Sequence, residues 1–150
     1  IYALDQWAKW AVQNPLRLRE VGSIEILPFF NLTWAENYGV SLGMLTATSS
    51  EMRWLLVALT ALIAIGVLVW MLRERAMADI AGLALVLGGA AGNIRDRATL
   101  GYVVDYADLH FGEFRPFLIF NIADAAITIG VVIILARSLF VRDKADTQVG

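Results

Sequence analysis

The feature that most constrains this chain is an uncharged apolar run from Trp54 to Leu72. Its sequence is WLLVALTALIAIGVLVWML, and its 19 residues can cross a bilayer core as a helix that rises about 1.5 Å per residue. We therefore predict a membrane span at roughly 53–72, so that the rest of the chain must be arranged around a bilayer.

Two further apolar blocks predict two more spans, at roughly 77–94 and 121–141. The first is rich in Gly and Ala, and the second contains FNIADAAITIGVVIILA, from Phe120 to Ala136. The whole chain is 59% hydrophobic and 17% charged, whereas a soluble domain is closer to half apolar and a quarter charged. The composition therefore indicates an all-α integral membrane protein.

The first residues predict a partial fourth helix. Ile1–Leu4 is apolar, lacks an initiator Met, and runs directly into DQWAKW. This pattern is typical of the end of a span whose first half is missing, so we expect a truncated helix over about 1–12 and four membrane helices in total.

The polar connections predict a small extramembrane region. Residues 14–51 contain β-branched and aromatic stretches with turn residues between them, which favours a small β-sheet on the membrane surface with aromatic side chains at headgroup level. Residues 95–117 form a second polar connection on the same side. Only Arg73–Arg75 separate the second and third spans, which predicts a tight hairpin. The distribution of cationic residues does not decide the orientation.

Several function classes are disfavoured by the composition. The net charge of −2 comes without a basic stripe, so we expect no nucleic-acid partner. The absence of Cys excludes disulfides, thiolate metal sites and a cysteine nucleophile. His110 is the sole His, and a serine-hydrolase G-x-S-x-G motif is absent. Asp108 and His110 could suggest a metal, but we interpret them as exposed loop residues.

Two short segments repeat the same polar pattern near the predicted membrane boundary. Asn93–Asp96 closes one span and Asn121–Asp124 opens another, and each places an amide and a carboxylate on one helix face. Between them, GYVVDYAD adds Asp105 and Asp108. These acids are the candidates for chemistry.

Each candidate also has a structural interpretation. Asn121 and Asp124 could form a capping box, although an acid below the water surface is costly and commonly marks a functional site. Asp105 could be an acid of a solvated strand or turn. Asp96 could form a local ion pair with its neighbours Arg95 and Arg97.

Two other pairs have mainly structural interpretations. Asp5 and Lys9 lie four residues apart and are expected to pair at a helix end. Gly88 and Gly92 form a G-x-x-x-G pattern, which predicts a face for close helix packing.

A pair of neighbouring carboxylates offers a specific chemistry. Two close carboxylates do not readily ionise together, so they share a proton. One can then act as base and the other as acid, which activates water against an amide without a metal or a covalent intermediate.

Motifs along nearly the whole chain resemble those of one family, the lipoprotein signal peptidases, also called signal peptidase II. The family motifs are G-G-x-x-G-N-x-x-D-R, G-x-V-V-D-F/Y, F-N-x-A-D-x-x-I and D-Q-x-x-K. They correspond here to GGAAGNIRDR at 88–97, GYVVDY at 101–106, FNIADAAI at 120–127 and DQWAK at 5–9; PFFNLT at 28–33, Asn37–Gly39 and Gly43 match an extracytoplasmic segment.

The resemblance implies a bacterial inner-membrane aspartyl endopeptidase with four spans, both termini cytoplasmic and the site near the extracytoplasmic face. It would be one membrane-embedded domain over 1–150 that cleaves prolipoproteins before a Cys carrying diacylglycerol. The implied partners are this lipidated precursor and membrane lipid. No cofactor or metal is implied, and we expect a monomer.

The resemblance also assigns roles by motif position. The catalytic dyad would be Asp105 and Asp124. The substrate-binding positions are Asn37, Gly39, Asn93, Arg97 and Asn121, and Asn37 matches a residue of the loop that covers the substrate as a lid. The structural positions near the site are Asp5, Lys9 and Asp96.

Two departures and two rival functions accompany this assignment. Many relatives have A-A-F where this chain has Val40–Leu42, and Arg95 occupies a position that is usually apolar or different.

The rivals are a proton- or ion-coupled carrier that uses the acids as relay groups, and a non-enzymatic assembly protein with capping acids. The absence of an inverted repeat argues against the carrier.

Overall fold

The computed structural model describes residues 1–39 and 50–146, with side chains described as far as Leu139. In chain order the elements are α1 (Tyr2–Gln13), α2 (Leu18–Val21), β1 (Ser23–Leu27), β2 (Phe30–Asn37), α3 (Ser50–Arg73), α4 (Met77–Leu100), β3 (Val103–Leu109) and α5 (Ile122–Asp146). The part of the predicted lid that falls on residues 40–49 lies outside the described residues.

Three of these helices are long and apolar enough to cross a membrane. They are α3, α4 and the Ile122–Leu139 part of α5. None of the side chains of α3 is buried by the protein, and such a helix requires hydrocarbon rather than water around it. The three complete spans predicted from the sequence are therefore found as apolar helices. Since α1 has 12 residues, the fourth span stays a prediction.

Helix α4 is the centre of the bundle and contacts α1, α3 and α5. Small residues allow this close packing, as predicted for Gly88 and Gly92. A Cβ at Gly88 would lie 2.8 Å from the Cβ of Ile1, and one at Gly92 would lie 3.2 Å from the carboxyl carbon of Asp5. The polar residues of α4 are thus brought against polar residues of α1.

The neighbouring face of α4 gives a testable prediction, because a Cβ at Gly89 would lie 2.8 Å from Cγ1 of Ile127 in α5. We expect Gly89→Val to force the two helices apart and to lower the free energy of unfolding by about 1–3 kcal/mol. The free energy of unfolding is measured in detergent, with circular dichroism to monitor the loss of helix. Gly66→Val is the matched control, since a Cβ there meets nothing within 4 Å; equal stabilities for the two variants would contradict the packing argument.

The three strands form one antiparallel sheet in the order β1-β2-β3. The small sheet predicted within 14–51 is present, and β3 joins it from the second polar connection. In the register of β2 and β3, Ala35 lies opposite Asp105 and Asn37 opposite Val103. On its other side, Ala107 exchanges two backbone hydrogen bonds with Phe120. The strand β3 is therefore placed between β2 and the start of α5.

A compact apolar cluster joins the sheet to α1 and α2. It consists of Val12, Leu18, Val104, Tyr106 and Ala107, all at most 7% exposed. Because β3 is buried on both faces, the polar side chains that it carries are forced into protein surroundings.

Candidate active site

Asp105 lies in β3, as one alternative predicted, but it is only 2% exposed, so its interpretation as a solvated acid was wrong. Its two carboxylate oxygens accept hydrogen bonds from Nδ2 of Asn121 at 2.6 Å and Nδ2 of Asn37 at 3.0 Å. Burial, and then the negative charge of Asp124, raise the pKa of Asp105 to about 6, against the opposing effects of the two amides and Lys9.

Asp124 and Asn121 form the predicted capping box at the start of α5. The backbone N–H of Asp124 donates to Oδ1 of Asn121 at 2.9 Å, and the backbone N–H of Asn121 donates to Oδ2 of Asp124 at 3.3 Å. Capping uses only one carboxylate oxygen of Asp124. The other, Oδ1, accepts a 2.8 Å hydrogen bond from Nδ2 of Asn93 on α4.

Two amides connect the two carboxyl groups. Nδ2 of Asn121 donates to Asp105 and also lies 3.2 Å from Oδ1 of Asn93, whose own Nδ2 donates to Asp124. Asn93 and Asn121 are 6% and 1% exposed, so these hydrogen bonds form in surroundings shielded from solvent, where they are stronger than in water. The arrangement fixes the two carboxyl groups relative to each other through a side chain of α4 and the side chain of the residue that caps α5.

A buried charge cluster supports this arrangement from the side of α1. Nζ of Lys9 lies 2.8 Å from a carboxylate oxygen of Asp5, 2.8 Å from one of Asp96, and 3.1 Å from Oδ1 of Asn93. The predicted pair of Asp5 and Lys9 is confirmed. The predicted local ion pair of Asp96 with Arg95 and Arg97 was wrong, because Asp96 faces Lys9.

The two acids of this cluster also hold the backbone at both catalytic candidates. Asp5 accepts the N–H of Ala123 at 3.0 Å, next to Asp124, and Asp96 accepts the N–H of Val104 at 3.2 Å, next to Asp105. The cluster thus positions the first turn of α5 and the middle of β3 together.

Arg97 provides a positive charge beside the carboxyl groups. It makes no ion pair with the part of the chain that the structure describes, and its buried Nε has no hydrogen-bond partner there. Gly39 lies next to it, with a positive φ of 88°, and a Cβ at that position would lie 3.7 Å from Nε of Arg97. The N–H of Gly39 donates to Oδ1 of Asn37, which orients the Asn37 amide toward Asp105.

Three grooves lead to these residues. We call the first the α5 groove; it has a volume of about 310 Å³ and is lined by Phe117, Leu118, Phe120, Asp124, Ala125, Thr128 and Ile129. The second, the sheet groove, has a volume of about 340 Å³ and is lined by 35–39, Asp105, Leu118 and Ile119. The third, the α3 crevice, has a volume of about 190 Å³ and lies between α3, α4 and α5, with Asn93 and Arg97 among its lining residues.

Asp108 differs from its expected position as an exposed loop residue because it lies in β3, whereas His110 lies in the loop after β3 as expected but is not exposed. Asp108 is 2% exposed and pairs with Arg115 at 2.5 Å, and Thr33 donates to it at 3.2 Å. His110 is half-buried, and its Nδ1 has no partner among the described residues. No group of three metal-ligating side chains occurs in the described ranges.

The sequence did not single out two residues that the structure places at the site. Gln6 donates to both Asp5 and Asp96 at 3.1 Å and accepts a hydrogen bond from Arg95, which gives Arg95 a partner. Leu118 lines two of the grooves. The position of Gln6 in the D-Q-x-x-K motif could have indicated it, whereas an apolar side chain such as Leu118 carries no signal in a sequence this apolar.

Fold and site together define an integral membrane protein with a buried polar centre at one end of its spanning helices. The profile of the family described as "Signal peptidase (SPase) II" matches residues 1–140. The lipoprotein signal peptidase of Rhizorhabdus wittichii is 59% identical over 95% of this chain and 83% of its own length. The lipoprotein signal peptidase of Sphingopyxis alaskensis is 56% identical over 96% of this chain and 83% of its own length.

Solved structures agree with this relation. One, described as a bacterial membrane enzyme structure determined by the in meso method at 1.9 Å resolution, matches with a TM-score of 0.79 and 30% identity over 92% of this chain and 86% of its own. A second bacterial membrane enzyme structure, at 2.3 Å resolution, matches with a TM-score of 0.77 and 28% identity over 97% of this chain and 85% of its own. The chain belongs to the signal peptidase II family, and it is therefore a protease.

Proposed function

We propose that this protein is an aspartic endopeptidase of the bacterial inner membrane that removes the signal peptide from diacylglyceryl-modified prolipoproteins. The observation that carries the proposal is the pair Asp105 and Asp124, which come from different elements and are joined by hydrogen bonds through Asn121 and Asn93. The scissile bond is the one before the lipidated Cys. The site faces the extracytoplasmic side, and the protein acts as a monomer.

The two carboxyl groups divide the proton transfers of hydrolysis. The ionised member takes a proton from a water molecule, whose oxygen attacks the scissile carbonyl carbon. The protonated member donates a hydrogen bond to the developing oxyanion. As the C–N bond breaks, a proton passes from the pair to the leaving amine, and the pair returns to its singly protonated state.

The surrounding side chains hold the reacting groups in position. Asn93 and Asn121 orient the two carboxyl groups. Arg97 offers its charge to substrate oxygens, because none of the described acids forms an ion pair with it. Asn37 and Gly39 form the wall of the sheet groove next to Asp105. The α3 crevice is apolar apart from Asn93, Arg97 and Thr60, whose hydroxyl donates to the carbonyl of Leu56, and it accommodates the acyl chains of the substrate.

The positions of the acids argue against an ion-coupled carrier. A relay needs ionisable groups spaced along the membrane path, whereas Asp5, Asp96, Asp105 and Asp124 all lie in one connected cluster. Asp79, near the start of α4, is instead paired with Arg137 at 2.9 Å. A purely capping role does not explain why the second oxygen of Asp124 accepts from Asn93.

A cleavage assay tests the proposed function. Purified protein in lipid nanodiscs is incubated with a diacylglyceryl-modified precursor and, separately, with the same precursor without the lipid. We expect release of the signal peptide from the lipidated precursor alone, seen as a mobility shift on a gel. An intact lipidated precursor, or equal cleavage of both forms, would contradict the proposal.

The raised pKa of Asp105 predicts how activity depends on pH. Beside the negative Asp124, Asp105 loses its proton as pH rises through about 6. Since the mechanism needs one protonated carboxyl group, kcat/KM is expected to fall as pH rises above that value. The Asn37 amide lowers the pKa of Asp105, so Asn37→Ala is expected to move the alkaline limb upward by up to roughly one pH unit.

The measurement is kcat/KM across the acidic to alkaline range for the parent and the variant. Tyr38→Phe is the control, because the Tyr38 hydroxyl in the same groove donates to Glu36 and not to Asp105. A limb that stays in place or moves to lower pH in Asn37→Ala would show that this amide does not favour the ionised form of Asp105.

A further inference from the structure

The segment that connects β3 to α5 separates the two grooves that contain the carboxyl groups. Asp124 lines the α5 groove and Asp105 lines the sheet groove. Of the described residues that line these two grooves, Leu118 is the one common to both, and it is 80% exposed. A side chain so exposed next to a polar site does not serve the apolar core.

The two grooves differ in character and in depth. The α5 groove extends along α5 from Asp124 to Ile129. At a rise of about 1.5 Å per residue, this stretch of the helix is longer than one helical turn, so the groove reaches into the span. Its lining is apolar apart from Asp124 and Thr128. The sheet groove is lined by polar residues of β2 such as Glu36 and Asn37 and lies on the extramembrane sheet.

A peptide that is cut between two carboxyl groups must contact both of them. Its apolar, membrane-embedded part fits the α5 groove, and the polar part beyond the scissile bond fits the sheet groove. The chain between these parts has to pass over Leu118. The α3 crevice does not include either carboxyl group in its lining, so it can take a branch of the substrate but not the main chain at the scissile bond.

We propose that Leu118 is a specificity-determining residue, whose side chain limits the size of the substrate residue just before the scissile bond. This inference rests on the proposed function, because it takes the signal peptide as the occupant of the α5 groove. Leu118 adds no charge or hydrogen bond; it acts by occupying volume where the two grooves meet. A smaller side chain at position 118 leaves room for a larger one in the substrate.

The experiment compares precursors that carry Ala or Leu immediately before the lipidated Cys. The parent is expected to prefer Ala, and Leu118→Ala, which removes three carbon atoms, is expected to reduce the ratio of the two kcat/KM values by at least roughly 10-fold, the lower end of what one methylene gives in an apolar pocket. Leu118→Phe is expected to increase the ratio. Phe114→Ala is the control, since Phe114 is exposed in the same segment but lines neither groove.

The outcomes separate this inference from the proposed function. If the parent cleaves and both Leu118 variants keep its ratio, the role of Leu118 is refuted while the peptidase function stands. In a second arm the acyl chains of the Ala precursor are shortened; if the Leu118 variants respond to acyl-chain length and not to residue size, the inference is also refuted, because lipid would then occupy the α5 groove. If the parent cleaves neither precursor, the proposed function fails and this inference fails with it.

Discussion

Replacement of either Asp105 or Asp124 by Asn is expected to reduce precursor cleavage by roughly 1,000-fold or more, because general acid–base catalysis of this kind contributes about 10²- to 10⁴-fold. Each substitution keeps the shape of the side chain and one acceptor oxygen, so the hydrogen bond from Asn93 or Asn121 can persist. The double variant should be little worse than either single variant, since the two groups act as one unit.

Initial rates with the lipidated precursor provide the measurement, and detergent unfolding of each variant shows that it folds. Asp79→Asn is the matched control: Asp79 also lies on a spanning helix and is paired with Arg137, but it belongs to the other end of α4. We expect its rate to stay within about threefold of the parent. A folded Asp105→Asn or Asp124→Asn variant with the parental rate would remove that residue from the dyad.

The second large effect concerns stability. Lys9→Met is expected to lower the free energy of unfolding by about 3–5 kcal/mol, because it leaves Asp5 and Asp96 buried without their shared cation. These acids hold the backbone N–H groups of Ala123 and Val104, so activity should fall together with stability. Detergent unfolding at constant pH measures the first effect, and precursor cleavage measures the second.

Two comparisons make the Lys9 prediction specific. Lys9→Met combined with Asp96→Asn should recover part of the lost stability, because one unpaired carboxylate is removed. Arg17→Met should change the free energy of unfolding by no more than about 0.5 kcal/mol. The side chains of Arg17 and its partner Glu20 are 71% and 70% exposed, and their charged atoms lie 3.7 Å apart. If Lys9→Met unfolds like the parent, the buried cluster does not support the fold.

The elements that depend on local sequence were predictable. The uncharged run in α3 dictates a helix in hydrocarbon whatever its neighbours are. The capping box of Asn121 and Asp124 needs only three residues of separation, and its geometry follows from the start of a helix. Gly88 and Gly92 indicated a close helix contact, although the sequence could not say that α1 would fill it.

The elements that depend on distant parts of the chain were not predictable from spacing. Asp96 was assigned to Arg95 and Arg97, but adjacent residues on a helix point in different directions, and the actual partner, Lys9, is on α1. The burial of Asp105 follows from the pairing of β3 with β2 and with the segment before α5. The catalytic roles of Asp105 and Asp124 came from the motif resemblance, and they remain a proposal.

The measurement that tests the central claim most directly is mass spectrometry of the products formed from a lipidated precursor. We predict two fragments, of which one ends at the residue before the lipidated Cys and the other begins with that Cys, and neither should form with Asp124→Asn. Cleavage at another bond, or the same two fragments from a folded Asp124→Asn variant, would contradict the proposed site and mechanism.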